Sequence, residues 1–346
     1  MYQIGICGHF GRGKKLFDGQ TVKTKILTEE LIKKLGSDNI RIIDTHGWKS
    51  NPISFLIKCY QLIKVCKNII ILPAQNGIKV FVPLLLILNK LFHRKLHYVV
   101  IGGWLPELLK KNNSLRKKLT KFYGIYVETD SMVKSLKNIG LNNVRRLPNF
   151  KRLEILEESE LVYSTGEPYK LCTFSRVVKE KGIEDAIDVV KSVNEALGRT
   201  VYTLDIYGQI DEKYSGRFEE LRKKFPFYIS YKGIVNFNDS VKVLKNYFAL
   251  LFPTYYKGEG FAGTILDAFA SGLPVIATNW KYNGEIIQNK LEGFLYDYKT
   301  NNLLKDILFE IAKKPSIIIK MKKNCLKKAK NYSPEIVIGD FLKYLA

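Results

Sequence analysis

Acid is scarce in the first half of this 346-residue chain. Residues 1–150 hold 8 Asp and Glu against 26 Lys and Arg, a balance of +18, whereas the remainder carries +5 of the total +23. A half so short of acid attracts anions: nucleic acid, an anionic membrane surface or a phosphorylated acceptor. Cysteine is sparse and odd in number. Cys7, Cys59, Cys66, Cys172 and Cys325 have no metal-ligand spacing and sit in apolar segments, which excludes a disulfide framework and predicts buried free thiols in a reducing compartment. The first residues, MYQIGICGHFG, lack a charged lead followed by an apolar core, so no secretory leader is expected. The longest apolar run, Val80 to Leu88, is too short to span a bilayer and contains Pro83. No helix-turn-helix or RNA-binding signature and no Asp/His metal cluster is visible. What remains is a folded chain, 46% hydrophobic and 26% charged, long enough for two domains with separate cores.

The richest stretch runs from residue 250 to 285, LLFPTYYKGEGFAGTILDAFASGLPVIATNWKYNGE. Leu250-Leu251-Phe252 reads as a buried strand. A loop with Gly258, Glu259, Gly260, Phe261 and Ala262 follows, and Gly263 and Thr264 open a helix that Ser271-Gly272-Leu273-Pro274 ends. Val275-Ile276-Ala277 is the next strand of a parallel strand–helix–strand unit. Backbone N–H groups at Gly263 and Thr264 favour phosphate oxygens, because a helix N-terminus carries partial positive charge. Glu259 in the loop and Asp267 one helical turn in are carboxylates placed to accept hydrogen bonds from sugar hydroxyls. The plain alternative is a crossover whose Asp267 is a solvated helix residue.

A second strand–loop–helix precedes it. Lys170 to Phe174 is a strand, Ser175-Arg176-Val177-Val178-Lys179-Glu180-Lys181-Gly182 a loop, and Ile183 to Leu197 a helix. Two cations stand in that loop, Arg176 and Lys181, and by themselves two such cations would usually be surface residues. In the first half, Tyr2 to Cys7 predicts a strand that runs into the glycine-rich Gly8-His9-Phe10-Gly11-Arg12-Gly13, followed by Lys14 and Lys15. Asp18-Gly19-Gln20-Thr21 precedes an amphipathic helix to Leu35, and strands are expected at residues 40–44, 69–72, 98–101 and 124–128. His97 reads as structural. The basic run of residues 105–122 interleaves Lys110, Lys111, Arg116, Lys117, Lys118 and Lys121 with leucines, a pattern suited to an anionic membrane surface, or to a solvated helix face.

These motifs together resemble glycosyltransferase family 4, the retaining nucleotide-sugar transferases of the GT-B fold. Glu259 matches the first Glu of the family's Glu–seven residues–Glu signature, Asp267 stands where the second Glu is usual, and Gly272 to Ala277 matches its G-x-P-V-I-A. Arg176 and Lys181 match its G-R-L-x-x-x-K-G, Gly208 its strand-terminal Gly, and Glu292 to Leu295 its x-G-x-L. Gly19 keeps one of the family's Gly pair near the donor diphosphate, and Asp18 replaces the other. No His occupies residues 102–104, where many members carry one, so Gly103 backbone and Trp104 stand there; Pro148-Asn149-Phe150 replaces P-N-G. The resemblance covers nearly the whole chain, closely over residues 170–295 and loosely over residues 1–150.

The resemblance implies an α/β protein with two Rossmann-like domains facing each other across a cleft: an acceptor domain of residues 1–155 plus about 332–346, and a donor domain of residues 168–331, with the last helix crossing back to the first. It implies Glu259, Arg176 and Lys181 as catalytic groups. Gly11, Gly19, Gly208, Gly260, Phe261, Ala262, Gly263, Thr264 and Asp267 join them around the donor, and His9, Gly103, Trp104 and Asn149 lie on the acceptor side. The expected reaction moves a hexose from a nucleotide diphosphate sugar, UDP favoured, to a saccharide acceptor, polyprenyl-diphosphate-linked, in bacterial capsule or O-antigen assembly. It needs no cofactor and no metal, involves no nucleic acid, and takes place in the cytoplasm on the inner face of the plasma membrane. The rivals are a GT-B nucleotide-sugar epimerase or hydrolase and, in another class, a basic nucleic-acid- or membrane-binding protein without catalysis.

Overall fold

The computed structural model describes residues 1–11, 13, 19–164, 166–298 and 302–345, so Arg12, Lys14, Lys15, Asp18 and Thr165 lie outside the described residues. The chain divides into two compact units, Met1–Arg152 with Tyr332–Ala346, and Leu153–Asn331. In the first, β1 (Tyr2–Gly8), α1 (Gly19–Leu35), β2 (Ile40–Asp44), α2 (Pro52–Val65), β3 (Cys66–Ile71) and α3 (Ile78–Asn89) follow in order. Then come β4 (Lys95–Val99), α4 (Leu105–Lys111), α5 (Asn113–Leu119), β5 (Gly124–Val127), α6 (Asp130–Lys137) and β6 (Val144–Arg146). The second unit runs β7 (Tyr169–Phe174), α7 (Ile183–Leu197), β8 (Tyr202–Tyr207), α8 (Ser215–Arg222), β9 (Ile229–Gly233), α9 (Ser240–Leu244) and β10 (Ala249–Phe252). It continues with α10 (Gly263–Ala270), β11 (Val275–Thr278), α11 (Asn283–Ile286), β12 (Gly293–Tyr296), α12 (Leu303–Lys313) and α13 (Ser316–Lys330); α14 (Pro334–Leu342) belongs to the first unit.

Each unit holds one six-stranded sheet in which every described pairing is parallel. Parallel strands need both faces covered, which is why they read as continuous apolar runs such as Ile69-Ile70-Ile71 and Leu250-Leu251-Phe252, all nearly inaccessible. The strand orders differ. Unit 2 runs β12-β11-β10-β7-β8-β9, the 3-2-1-4-5-6 arrangement of dinucleotide-binding folds. Unit 1 runs β2-β1-β3-β4-β5-β6, the order of the flavodoxin-like relatives of that fold. Both are doubly wound, and in both the order reverses at one crevice: between β1 and β3 in unit 1, and between β7 and β10 in unit 2.

Residues 153–168 pack within the second unit: the Leu156 N–H donates to the Ala270 carbonyl at 3.0 Å, and the buried Leu161 lies over Gly272. The basic run of residues 105–122 forms two short helices, α4 and α5. Asn112 ends α4 and caps α5 by accepting from the Leu115 N–H at 3.0 Å, and Leu105, Leu109, Leu115, Leu119 and Phe122 all face the core. All five cysteines are buried and free. His97 is fully buried between Asn68 and Tyr126, and burial, with Arg145 and Lys95 adding to it, pulls its pKa down to about 3. No helix among the described residues is long and apolar enough to cross a membrane.

Candidate active site

In unit 2 the crevice at the reversal point collects what the sequence singled out. Residues after β7 supply Arg176 and Lys181, and residues after β10 supply Thr254 to Glu259. The Lys181 Nζ donates to Glu259 Oε2 at 2.6 Å, with the two side chains only 10% and 7% exposed. The Thr254 hydroxyl donates to the same Oε2 at 2.8 Å and accepts from the Tyr256 N–H at 3.2 Å. Sequence reading treated Lys181 and Glu259 as separate contacts; the fold makes them one buried ion pair, 78 residues apart in the chain. A buried pair of this kind costs desolvation on both sides, and removing either partner strands the other.

The loop that carries Glu259 is held from two sides. The Tyr255 N–H donates to the Glu180 carbonyl at 2.8 Å, which ties it to the Lys181 turn. The Trp280 indole N–H donates to the Tyr256 carbonyl at 2.8 Å, and the Thr278 hydroxyl to the Thr254 carbonyl, so the exit of β11 braces the exit of β10. Gly182, at φ 71°, starts α7 where a Cβ would stand 2.2 Å from the Pro253 carbonyl oxygen. No other residue type lets the Lys181 turn approach β10 so closely. Gly208, at φ 137°, is packed against the Ser175 carbonyl in the same way, which gives it a structural reason beyond any ligand contact.

Arg176 is half-exposed, 3.9 Å from Asp211 and 5.5 Å over the Tyr256 ring. Lys181 sits 5.2 Å from the same ring and 5.3 Å from that of Phe252. Tyr256 therefore lies between both cations, a role that no spacing in the sequence announced. The Thr264 hydroxyl donates to the Phe174 carbonyl, pinning the first turn of α10 to the strand end from which Arg176 emerges. Gly260, Phe261 and Ala262 are buried just ahead of that turn, Gly263 and Thr264 half-buried, and no side chain among the described residues caps the helix. The Ile265 N–H donates back to the Ala262 carbonyl at 3.1 Å, which leaves the N–H groups of Gly263 and Thr264 for another acceptor. Asp267 has a partner within the fold. It is 2% exposed, and the Ser240 hydroxyl donates to its Oδ1 at 2.8 Å, joining α10 to α9.

The residues expected on the acceptor side do not gather. His9 leaves β1, Gly103 and Trp104 leave β4, and Asn149 follows β6, so strand spacing alone separates the first from the last by ~19 Å. The Trp104 indole donates to its own turn at Ile101, and Asn149 accepts from the Phe150 N–H at 3.1 Å. Phe150 is a core side chain, 1% exposed. Gly11 is buried and Gly19 opens α1 at the surface. What unit 1 does show at its own reversal point is a cavity of about 280 Å³ lined by His9, Gln20, Trp48, Lys49, Ala74 and Phe81, among others. Asp44 draws its walls together, accepting from the N–H groups of Phe10 at 2.9 Å and His46 at 2.8 Å. Trp48 packs on Phe55 and Phe81, and the His9 and His46 rings lie 5.2 Å apart. A larger cavity of about 860 Å³ lies over β8 and β9 and includes none of Arg176, Lys181 or Glu259.

Among solved structures, Anabaena HepE with UDP and glucose superposes with a TM-score of 0.75 at 14% identity, covering 99% of this chain and 98% of that one. A sucrose-phosphate synthase from Thermosynechococcus elongatus does so with 0.75 at 13%, covering 100% and 99%. The fold is that of these GT-B glycosyltransferases. A UDP-N-acetylglucosamine–peptide N-acetylglucosaminyltransferase GtfA subunit of Streptococcus agalactiae is 30% identical over 168 residues, 47% of this chain and 31% of its own length. A Methanocaldococcus jannaschii glycosyltransferase is 24% identical over 229 residues, 58% of this chain and 55% of its own. The chain thus spans about a third to a half of the length of these curated relatives. Residues 158–332, half of the chain, match the family described as glycosyl transferases group 1, and the chain belongs to that family.

Proposed function

We propose that the chain transfers a hexose, with retention, from a uridine diphosphate sugar to a saccharide acceptor carried on a lipid, in bacterial surface polysaccharide assembly at the inner face of the plasma membrane. The carrying observation is the buried Lys181–Glu259 pair beside the uncapped start of α10. As the bond between the sugar carbon and the diphosphate oxygen breaks, negative charge grows on the leaving group. Arg176, Lys181 and the first N–H groups of α10 stabilise that charge, which is where a transferase gains most. Glu259, fixed by Lys181 and Thr254, accepts from hydroxyls of the sugar and holds it for attack on the face the phosphate leaves. The incoming hydroxyl passes its proton to that phosphate oxygen, so no side-chain base and no metal is required. Asp267 serves the ribose by turning its carboxylate from Ser240. Gly11, Gly19 and Gly208 let backbone approach the donor.

UDP is favoured because the streptococcal relative is named for UDP-N-acetylglucosamine and the HepE neighbour was solved with UDP. The acceptor belongs to unit 1, whose cavity offers the Trp48 ring and Lys49 beside His9. The test is a thermal-shift and sugar-release panel of UDP-, GDP-, ADP-, CMP- and dTDP-sugars on wild type, Arg176→Ala and Glu259→Ala. UDP-sugars should raise the melting temperature selectively, less so in Arg176→Ala, and slow sugar release should vanish in Glu259→Ala. A panel in which no nucleotide sugar moves the melting curve overturns the reading.

A further inference from the structure

Helix α2 is apolar on two opposite sides. Phe55, Cys59, Leu62 and Ile63 face the sheet, while Ile53, Leu56, Ile57 and Tyr60, at positions i, i+3, i+4 and i+7, face outward; Ile53 is 72% exposed and Ile57 52%. Helix α3 and the turn after it repeat the pattern with exposed Val80, Ile87 and Leu91. The two helices pack side by side, and the rings of Tyr60 and Phe92 meet at 5.6 Å, so the stripes adjoin. A surface helix of a water-soluble domain normally turns charge outward, and single exposed apolar residues are common where adjoining ones are not.

The charge around this patch has one sign. From residue 45 to residue 106 the sequence contains no Asp or Glu, and Lys49, Lys58, Lys64, Lys79 and Lys90 stand exposed on or beside these helices. We infer that the outer faces of α2 and α3 dock unit 1 on an anionic lipid bilayer, with the isoleucines and leucines entering the acyl boundary and the lysines meeting headgroup phosphates. A second copy of the chain fits poorly, since a two-fold contact would set this lysine rim against itself with no acid to answer it. The basic α4–α5 segment adds attraction without insertion, because its leucines are spent on the core. The inference deepens, and rests on, the lipid-carried acceptor proposed above. The same two helices hold Phe55 and Phe81 under Trp48, so the docking face and the unit 1 cavity share their supports.

The test is co-sedimentation with vesicles of phosphatidylcholine alone or with about one-third phosphatidylglycerol, in low and high salt. The proteins are wild type, Ile57→Glu/Ile87→Glu, and Lys110→Gln/Lys117→Gln/Lys118→Gln, each checked for fold and donor response by the UDP thermal shift. Wild type should bind the phosphatidylglycerol vesicles and weaken with salt. The double glutamate variant should lose about tenfold or more in partitioning, and the α4–α5 variant clearly less. If the double variant partitions like wild type, the docking face is wrong while membrane association stands. If wild type binds no vesicle, membrane association falls with it, and the UDP shift reports separately on the donor site. If wild type is a dimer that the double variant dissolves without any vesicle binding, the patch joins two copies and the inference is overturned.

Discussion

The two units use the same layer plan, a parallel sheet with helices on both faces, yet they prepare their crevices in different ways. In unit 2 the polar groups at the reversal point are already bound to one another: Lys181 to Glu259, Thr254 to Glu259, Thr264 to Phe174, Trp280 to Tyr256. In unit 1 the corresponding strand exits carry His9, Trp104 and Asn149, which lie apart and satisfy themselves within their own turns or with near neighbours. A diphosphate has fixed geometry and charge, so a site for it is best built rigid and in advance, since preorganised charge costs no rearrangement when the reaction occurs. A site shaped for one acceptor among many has no such common template, and its side chains follow the acceptor.

The widest separation between the units should come from Lys181→Ala. In the folded protein it leaves Glu259 buried beside Thr254 with no cation, so unit 2 should lose about 3 kcal/mol in urea unfolding, and sugar transfer should fall by roughly a thousandfold. The double variant Lys181→Ala/Glu259→Ala should recover part of the stability and none of the activity. If stability does not recover in the double variant, the pair is not the reason for the loss. Arg176→Ala comes next. Its side chain is 52% exposed, so stability should hold within about 0.5 kcal/mol, while turnover falls about a hundredfold. An Arg176→Ala enzyme with unchanged turnover would remove the guanidinium from the donor site.

The same contrast explains what could be read from the sequence. Residues 170–295 were legible because strand, loop and helix each announce themselves locally: Leu250 to Phe252 as an apolar run, Gly182 and Gly263 at helix starts, Gly272-Leu273-Pro274 as a stop. The contacts that give the loop its chemistry were not, because Lys181 meets Glu259, and Trp280 meets Tyr256, only through the order in which strands are laid side by side. The first half misled where composition stood in for geometry. Basic leucine-rich residues 105–122 suited an anionic membrane surface or a solvated helix face and form two short helices with their leucines inside, while α2, which carries the exposed apolar stripe, attracted no notice because both of its faces are apolar and its period is blurred. The contact of Asp267 with Ser240 was out of reach in the same way, since the two residues stand 27 apart in the chain.

Trp48→Ala would sharpen the comparison from the unit 1 side. The ring is half-buried over Phe55 and Phe81 and borders the cavity at the β1–β3 reversal point. Stacking of a sugar face on an indole contributes about 1 kcal/mol, so KM for a saccharide acceptor should rise several-fold, up to about tenfold. The UDP-sugar thermal shift and slow donor hydrolysis should not change. A variant that loses donor response together with acceptor affinity would mean that the two units do not divide the substrates in this way.

The smallest effect expected is a proton linkage that belongs to unit 1 alone. His97 is fully buried, and its network fixes the neutral tautomer: Asn68 Oδ1, 3.0 Å from Nε2, accepts, because the Asn68 amide nitrogen donates to the Gln3 and Leu345 carbonyls, and the Tyr126 hydroxyl donates to Nδ1 at 3.0 Å. Its folded pKa of about 3 lies below the ordinary histidine value, so between the two the unfolded chain binds more protons. The stabilisation is complete above pH ~6.5 and is lost as pH falls toward 3, which gives a fall of about 1 kcal/mol between pH 6.5 and 5.5. Lys322, a buried lysine of unit 2, is held down to about 8 by burial and titrates outside that window. Denaturant unfolding at pH 6.5 and 5.5 of wild type and His97→Gln separates the cases, since the glutamine variant should show a flatter dependence in unit 1 and none of the change in unit 2. An equal slope in both proteins would assign the linkage to some other group.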